Sequence, residues 1–220
     1  MNSSPDGPYN SFVRFISANP ATSFNPHAAK PQIDESAFVG PFSSVIGDVT
    51  IHKNTFIAPN VSIRADEGTP FYIGEGCNLQ DGVILHGLKE GRVGVHDRHY
   101  SIFIDHTVSI AHSALVHGPV YLGQGSFVGF QSLVFQAVVG KNVYISNYAV
   151  VTGKVIIPNN RFVPPGAVID TQAKADQLGD RPKDAAEFSK EVMRVNRDFS
   201  SSYSLVFGSN RCTCGLACDL

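Results

Sequence analysis

The stretch SIAHSALVHGPVYLGQGSFVGFQSLVF, residues 109–135, carries an aliphatic residue at every sixth position. The repeating residues are Ile110, Val116, Leu122, Val128 and Val134. A spacing of six matches neither the 3.6-residue period of a helix nor the two-residue alternation of an amphipathic strand. It is the period of a solenoid in which each six-residue unit supplies one short strand and one turn.

The same register runs through most of the chain. It is shifted by a four-residue insertion near residues 67–70, broken by a longer insertion after Leu85, and shortened by one residue before Val139. Its positions are Ile33, Val39, Val45, Ile51, Ile57, Ile63, Ile73, Leu79, Leu85, Ile104, Ile110, Val116, Leu122, Val128, Val134, Val139, Ile145, Val151, Ile157, Val163 and Ile169. With three units per coil, the register predicts an all-β solenoid of seven coils. This pattern resembles the left-handed parallel β-helix of the hexapeptide-repeat proteins.

A second position of the repeat supports this prediction. The residue four places after each aliphatic position is mostly small, as a narrow core between strands requires. Examples are Ala37, Ser43, Ala114, Ser126, Ser132 and Ala149.

The register divides the chain into three parts. We predict an irregular N-terminal cap over residues 1–32, the β-helix over 33–174, and a C-terminal helix with a cysteine-rich tail over 175–220. Apolar residues at helical spacing predict a helix from about Lys183 to Ser200, packed alongside the solenoid. These residues are Phe188, Val192, Val195 and Phe199.

Composition narrows the classes of function. The 220 residues are 43% hydrophobic and 16% charged, with a formal net charge of −2, as in a globular protein. The near-neutral charge and the lack of a long basic run argue against a nucleic-acid partner. The N-terminal stretch lacks the pattern of a secretory signal, and no stretch has the apolar length of a membrane span. We therefore expect a cytoplasmic protein with no membrane partner.

Two histidines occupy equivalent places in successive coils. His86 directly follows Leu85, and His117 directly follows Val116, each in the third unit of its coil. Neighbouring strands lie about 4.8 Å apart, so two outward imidazoles in one column can share a metal ion. His27, His52 and His106 have no such relation and are interpreted as surface residues; they form no part of this prediction.

His112 lies elsewhere, two residues after Ile110 on the middle face of a coil. Within one chain it points away from the other two histidines, but a three-fold assembly could bring it against the column of a neighbour. We infer a metal between subunits, with His86 and His117 from one protomer and His112 from the next. Three histidines with an open fourth position are typical of catalytic zinc, although imidazole also suits iron and cobalt.

Three segments resemble the gamma-class carbonic anhydrases: SVIGDVTI, APNVSIRADEGTPFYIGEGCNLQDGVILHGL and SIAHSALVHGPVYLGQGSFVGFQSLVF. The resemblance runs from about Asn19 to Asn196. It implies a homotrimer with a metal at each subunit interface and the zinc-dependent, reversible hydration of CO2 to bicarbonate and a proton. It also implies metal-ligand roles for His86, His112 and His117, in agreement with the register.

The resemblance implies roles for further residues. Catalytic roles near the metal-activated water are implied for Glu67, Asn78, Gln80 and Asn196. An ion pair at the interface is implied for Arg64 and Asp66, although an exposed pair would contribute little to stability.

The chain departs from the family pattern around the proton shuttle. Lys89 stands where the archetype has a glutamate, in a short loop that is not acidic. Glu90, His96 or His99 could relay the proton instead, since groups with pKa values near the working pH do this best. Arg194 replaces a tyrosine of the archetype.

The cysteine-rich tail GSNRCTCGLACDL raises a separate hypothesis. The spacing of Cys212 and Cys218 is similar to a terminal disulfide in the amino-terminal domain of carboxysomal carbonic anhydrase scaffolds. That similarity implies a disulfide that supports the site, and carboxysome partners. The alternative is a reduced tail, which cytosolic conditions favour. Cys77 falls on a core position and is predicted to be a buried, inert thiol.

Two other functions are consistent with the sequence. One is an acyltransferase on the same fold, which would use a single histidine as general base and would not need three converging histidines. The other is a trimeric scaffold of the same family with little or no turnover, which the departure at Lys89 keeps open.

Overall fold

The computed structural model describes residues 13–207 and has the predicted fold, a parallel β-solenoid with a C-terminal helix. In chain order its strands are β1 (Phe15–Ser17), β2 (Gln32–Ile33), β3 (Phe38–Val39), β4 (Ser44–Gly47), β5 (Val49–Ile51), β6 (Phe56–Ile57), β7 (Ser62–Ala65), β8 (Phe71–Ile73), β9 (Asn78–Leu79), β10 (Ile84–Gly87), β11 (Val93–Val95), β12 (Arg98–Tyr100), β13 (Ile102–Ile104), β14 (Ser109–Ile110), β15 (Leu115–Leu122), β16 (Phe127–Val128), β17 (Leu133–Val139), β18 (Tyr144–Ile145), β19 (Val150–Val151), β20 (Ile156–Ile157), β21 (Phe162–Val163) and β22 (Val168–Ile169). The helices are α1 (Gln172–Asp176) and α2 (Lys183–Phe207).

The strands line three faces of the prism. The middle face has the order β3-β6-β9-β14-β16-β18-β21, and every pair in it is parallel. The other two faces are joined because the long strands β15 and β17 cross a corner of the prism. The aliphatic register positions from Val39 to Ile169 are all buried, and Ile33 packs against them. The six-residue register is therefore confirmed as the origin of the core.

The small residues of the repeat also lie where the pattern predicts. Ser43, Ser126 and Ser132 are buried, and each hydroxyl donates a hydrogen bond to a backbone carbonyl, at 2.8 to 2.9 Å. A buried hydroxyl without such a partner would be costly. These serines therefore fill the narrow corners and satisfy their own polar atoms at once.

One short strand lies within the predicted N-terminal cap, and residues 13–31 are otherwise irregular. β1 pairs in parallel with β4, aligning Ile16 with Val45, and so adds a strand before the first repeat unit. Ile16 packs against the core while Phe15 remains largely exposed. The period-six pattern cannot reveal this strand, because it supplies a single strand and not a repeat unit.

Helix α2 begins at Lys183 as predicted but continues to Phe207, beyond Ser200. It packs on the middle face, against β3, β6 and β14. Phe188 contacts Phe127, and Phe199 contacts Phe56, yet both helix residues remain more than one-third exposed. Over residues 183–204 of α2, whose side chains the structure describes, the buried residues are the small or polar Ser189, Asn196 and Ser200. The apolar spacing thus located the helix and two rings that contact the sheet, but it did not identify the small residues that the helix buries.

The outward-facing residues of the middle face form the surface on which α2 packs. Its outward column is aromatic except in two adjacent strands, where Asn78 and Ser109 are aligned. The full column is Phe38, Phe56, Asn78, Ser109, Phe127, Tyr144 and Phe162. The aromatic rings of the sheet supply apolar surface for α2, and Ser200 comes close enough to donate a hydrogen bond to the Ser36 carbonyl at 2.9 Å.

Candidate metal centre

His86 and His117 lie in one column, as the register predicts. Strands β7, β10 and β15 align Arg64 with His86 and His86 with His117. The two imidazole centroids are 5.1 Å apart, and His86 Nδ1 is 3.1 Å from His117 Nε2. Parallel pairing without a bulge at these positions places the two rings side by side on the outer surface of one face.

The surroundings of His117 favour a neutral ring. Burial lowers the pKa of His117, and the nearby His86 lowers it further, whereas a contact with the Gly118 carbonyl opposes the shift. His117 Nδ1 lies 3.3 Å from that carbonyl. If Nδ1 donates its proton there, Nε2 carries the lone pair, which faces His86 Nδ1 at 3.1 Å. A neutral imidazole with a free lone pair is the form that binds a metal.

Charged groups surround the histidine pair. Arg64 Nε donates to Asp66 Oδ2 at 3.1 Å within one chain, while an ion pair of these residues at the subunit interface stays a prediction. Asp66 Oδ1 is 3.2 Å and Glu67 Oε2 is 3.9 Å from His86 Nε2. The backbone N–H of Lys89 donates to Glu67 Oε1 at 2.9 Å, which holds the Glu67 carboxylate beside the pair. We call His86, His117, Arg64, Asp66 and Glu67 the histidine-pair half-site.

His112 lies on the other side of a corner, after strand β14 of the middle face. Its Nδ1 is 3.1 Å from Asp81 Oδ2, and its ring stacks on Phe130 with centroids 5.5 Å apart. Asp81 was not among the predicted site residues. The register could have found it, because Asp81 follows Leu79 by two residues just as His112 follows Ile110.

Three further predicted site residues lie with His112. A cavity of about 180 Å³ is lined by His112, Asp81, Gln80, Asn196 and Phe199, among others. Gln80 Nε2 donates to Asn78 Oδ1 at 3.4 Å. We call His112, Asp81, Gln80, Asn78 and Asn196 the single-histidine half-site.

One atom of this half-site is conspicuously unsatisfied. Gln80 Oε1 is buried and has no hydrogen-bond partner within the described residues. Such an acceptor costs about 1–3 kcal/mol when unpaired. A hydrogen-bond donor bound at this place would recover that energy.

A single chain does not complete a metal site. Within residues 13–207, no three histidine, cysteine, aspartate or glutamate side chains are grouped so that they could hold a metal ion. His86 and His117 are on one face and His112 is on another, as the register predicts. The interpretation that the three converge between subunits stays a prediction.

The remaining candidates lie apart from the two half-sites. Glu90 is 87% exposed and lies 3.7 Å from Lys89 Nζ. His96 and His99 are exposed on the β11–β12 hairpin, and His96 lines a separate cavity of about 1010 Å³ under that hairpin. Arg194 forms two hydrogen bonds with Glu191, at 2.7 and 2.9 Å.

The cysteines with a predicted role differ in whether the structure describes them. Cys77 is buried, as predicted, and burial raises the pKa of its thiol to about 12, which makes it a poor nucleophile. Cys212 and Cys218 lie outside the described residues. None of the helices in the described part of the chain is long and apolar enough to cross a membrane.

An apolar surface adjoins the histidine column. Its members are half-buried or exposed aliphatic residues in five successive strands of the same face. They are Ile84, Leu115, Leu133, Val150 and Val168. Monomeric proteins seldom expose a continuous apolar surface without a binding role.

Comparisons with known proteins agree with the fold. The sequence model "Bacterial transferase hexapeptide (six repeats)" matches residues 30–65. A solved hexapeptide transferase family protein from Anaplasma phagocytophilum superposes with a TM-score of 0.66 at 21% identity, over 85% of this chain and 98% of that one. At that identity the likeness concerns the fold alone.

The relatives found by sequence similarity identify the family, which the likeness of fold does not. The chain is 44% identical to the carboxysome assembly protein CcmM of Nostoc sp. over 92% of its own length, but it spans only 36% of that relative. It is 39% identical to the carbonic anhydrase of Methanosarcina thermophila, over 86% of this chain and 81% of the relative. The chain therefore belongs to the gamma-class carbonic anhydrase family.

Proposed function

We propose that this protein catalyses the metal-dependent, reversible hydration of CO2 to bicarbonate and a proton at sites formed between its subunits. The observation that carries the proposal is the division of the histidines. Two lie side by side on one face, and a third lies beside buried amides on the next face. The likeness to a carbonic anhydrase over most of both chains supports the reaction.

The residues present fit a zinc ion. His86 and His117 of one subunit and His112 of another would hold it, and the lowered pKa of His117 keeps that ring neutral. Three imidazoles with an open position suit a catalytic zinc, while iron or cobalt would also be accepted. When bound, such a cation activates water as a nucleophile at neutral pH.

The two half-sites support an assembly of three subunits. Each chain carries both halves on different faces, so a closed ring would pair every histidine pair with the His112 of a neighbour. The aliphatic column from Ile84 to Val168 supplies apolar surface next to the histidine pair. Burying this column against a neighbour would stabilise the contact.

The other residues would handle water and substrate. Glu67, held by the Lys89 amide, offers a carboxylate beside the histidine pair. Gln80 offers the unpaired acceptor Oε1 beside His112. Asn78 accepts a hydrogen bond from the amide of Gln80, and Asn196 of helix α2 lines the cavity beside His112. These groups would orient the attacking oxygen and CO2.

Proton release requires a group that can exchange protons with solvent. Glu90 and the hairpin residues His96 and His99 are exposed and could exchange protons with solvent. We propose Glu90 as the first relay, since it follows Lys89, whose backbone holds Glu67. A Cys212–Cys218 disulfide that supports the site also stays a proposal, tested by comparing activity with and without a strong reductant.

A second candidate function is a scaffold of the carboxysome with little turnover. The relative from Nostoc is named an assembly protein, and Lys89 leaves no carboxylate at the place where the family archetype has its proton shuttle. The two functions share one fold and one set of ligands. They differ only in turnover and partners.

One experiment separates the two. Metal content is measured on the purified full chain, and CO2 hydration is followed by stopped-flow with a pH indicator. About one metal ion per chain with hydration above the buffer rate supports the enzyme. Bound metal without hydration supports the scaffold, and the absence of bound metal contradicts both the site and its chemistry.

A further inference from the structure

The amide of Gln80 belongs to a buried chain of hydrogen bonds that ends at a sulfur atom. Asn78 and Ser109 are aligned in strands β9 and β14, and both side chains are almost fully buried. Asn78 Nδ2 donates to Ser109 Oγ at 2.7 Å and lies 3.1 Å from Met193 Sδ of helix α2. Ser109 Oγ donates to the same sulfur at 2.8 Å.

The sulfur fixes the direction of this chain. A thioether has no hydrogen to donate, so Ser109 and Asn78 must both turn donors toward Met193. Asn78 Oδ1 is then left as the acceptor for Gln80, whose Nε2 lies 3.4 Å away. Gln80 must therefore turn its own acceptor, Oε1, away from Asn78.

We propose that Ser109 and Met193 are positioning residues that make Gln80 present a hydrogen-bond acceptor, rather than a donor, at the cavity beside His112. Gln80 Oε1 is buried without a hydrogen-bond partner among the described residues, as this orientation requires. The matching ligand carries an O–H donor, as water and bicarbonate do. An anion with acceptors only, such as nitrate, is disfavoured. The identity of this ligand rests on the proposed function, whereas the orientation of the amides does not.

Variants of Ser109 and Met193 test whether these residues set the orientation of the Gln80 amide. Ser109→Ala and Met193→Leu each leave one acceptor for Asn78 Nδ2, while the double variant removes both. Asn78 can then rotate its Nδ2 toward Gln80, which must reverse in turn. Ser189→Ala is the matched control, because Ser189 is a buried serine on the same helix, one turn before Met193.

The first readout is solvent exchange of glutamine side-chain amides by NMR, on metal-free, [15N]glutamine-labelled full chain. We expect the NH2 group of Gln80, assigned by its loss in Gln80→Leu, to be protected. Its exchange should rise about tenfold or more in the double variant and less than about threefold in each single variant or the control. A Gln80 NH2 that exchanges freely in the unaltered protein overturns the proposal, whether or not the variants fold.

The second readout applies to the metal-loaded, active protein. In the double variant a donor faces the cavity, so nitrate should inhibit CO2 hydration about fivefold more tightly. General damage to the site would weaken nitrate binding or leave it unchanged, and either result contradicts the proposal. If no variant or parent hydrates CO2, the proposed function fails while the NMR measurement still decides the orientation of the amides.

Discussion

The histidine-pair half-site and the single-histidine half-site differ in what holds them in position. His86 and His117 belong to adjacent strands paired residue by residue, so their geometry is that of the solenoid itself. His112 follows such a strand too, but Asn196 comes from helix α2, and the buried amides depend on Met193 of that helix. The first half-site is therefore set by strand register and the second by the docking of a helix onto the sheet.

The largest expected effect comes from the ligands themselves. His117→Ala and His112→Ala should each lower kcat/KM by more than about a hundredfold and release the metal, since even residues that only support a metal ligand are worth ten- to a hundredfold. Metal content and stopped-flow CO2 hydration measure both effects.

Mixing the inactive variants tests whether the halves meet between chains. Suppose that equal amounts of His112→Ala and His117→Ala assemble at random into three-fold rings. About a quarter of the interfaces then join an intact histidine pair from one chain to an intact His112 from the other. About a quarter of the parental activity should return. Mixing His86→Ala with His117→Ala leaves every pair defective and should restore nothing. Equal recovery in both mixtures contradicts the shared site.

Asp81→Asn should have the next largest effect. The Asp81 carboxylate is 3.1 Å from His112 Nδ1 and would fix the ring so that its other nitrogen faces the metal. We expect zinc affinity, measured by competition with a chelator, to fall about tenfold to a hundredfold. Asp97→Asn, on the exposed hairpin, is the control and should leave affinity unchanged. An unaltered affinity for Asp81→Asn would contradict the need for a carboxylate beside His112.

The contrast between the half-sites also explains what the sequence could predict. The column of Arg64, His86 and His117 could be predicted by counting residues along the sequence. One aliphatic residue in each six-residue unit determines the face and the coil on which its neighbours lie. The strand β1 and the buried face of α2 do not follow, since neither obeys the six-residue period. The apolar spacing of Phe188 and Phe199 indicated a helix whose rings contact aromatic residues of the sheet, but it did not identify the small residues that the helix buries. The role of Met193 depends on which sheet residues it meets.

Loosening helix α2 should affect the two half-sites unequally. Phe199 packs on Phe56 and lines the cavity beside His112, so Phe199→Ala should lower stability by about 1–2 kcal/mol and activity a few-fold. Phe188→Ala is matched in chemistry but contacts Phe127, away from that cavity. It should cost similar stability with little loss of activity. Amide hydrogen exchange should quicken in α2 but not in β10 or β15, and equal activity loss in both variants would contradict the dependence on Phe199.

The smallest effect is expected at Glu90. Its side chain is 87% exposed and pairs only loosely with Lys89 Nζ at 3.7 Å, so Glu90→Gln should leave metal content unchanged and lower kcat by less than about threefold. The loss should appear at low buffer concentration and vanish at high concentration, where buffer molecules carry the proton instead. A loss that persists at high buffer concentration would mean that Glu90 acts on the histidine-pair half-site through Lys89, whose amide holds Glu67. Lys89→Glu, which places a carboxylate at the archetypal position, should raise kcat at low buffer if proton release limits turnover.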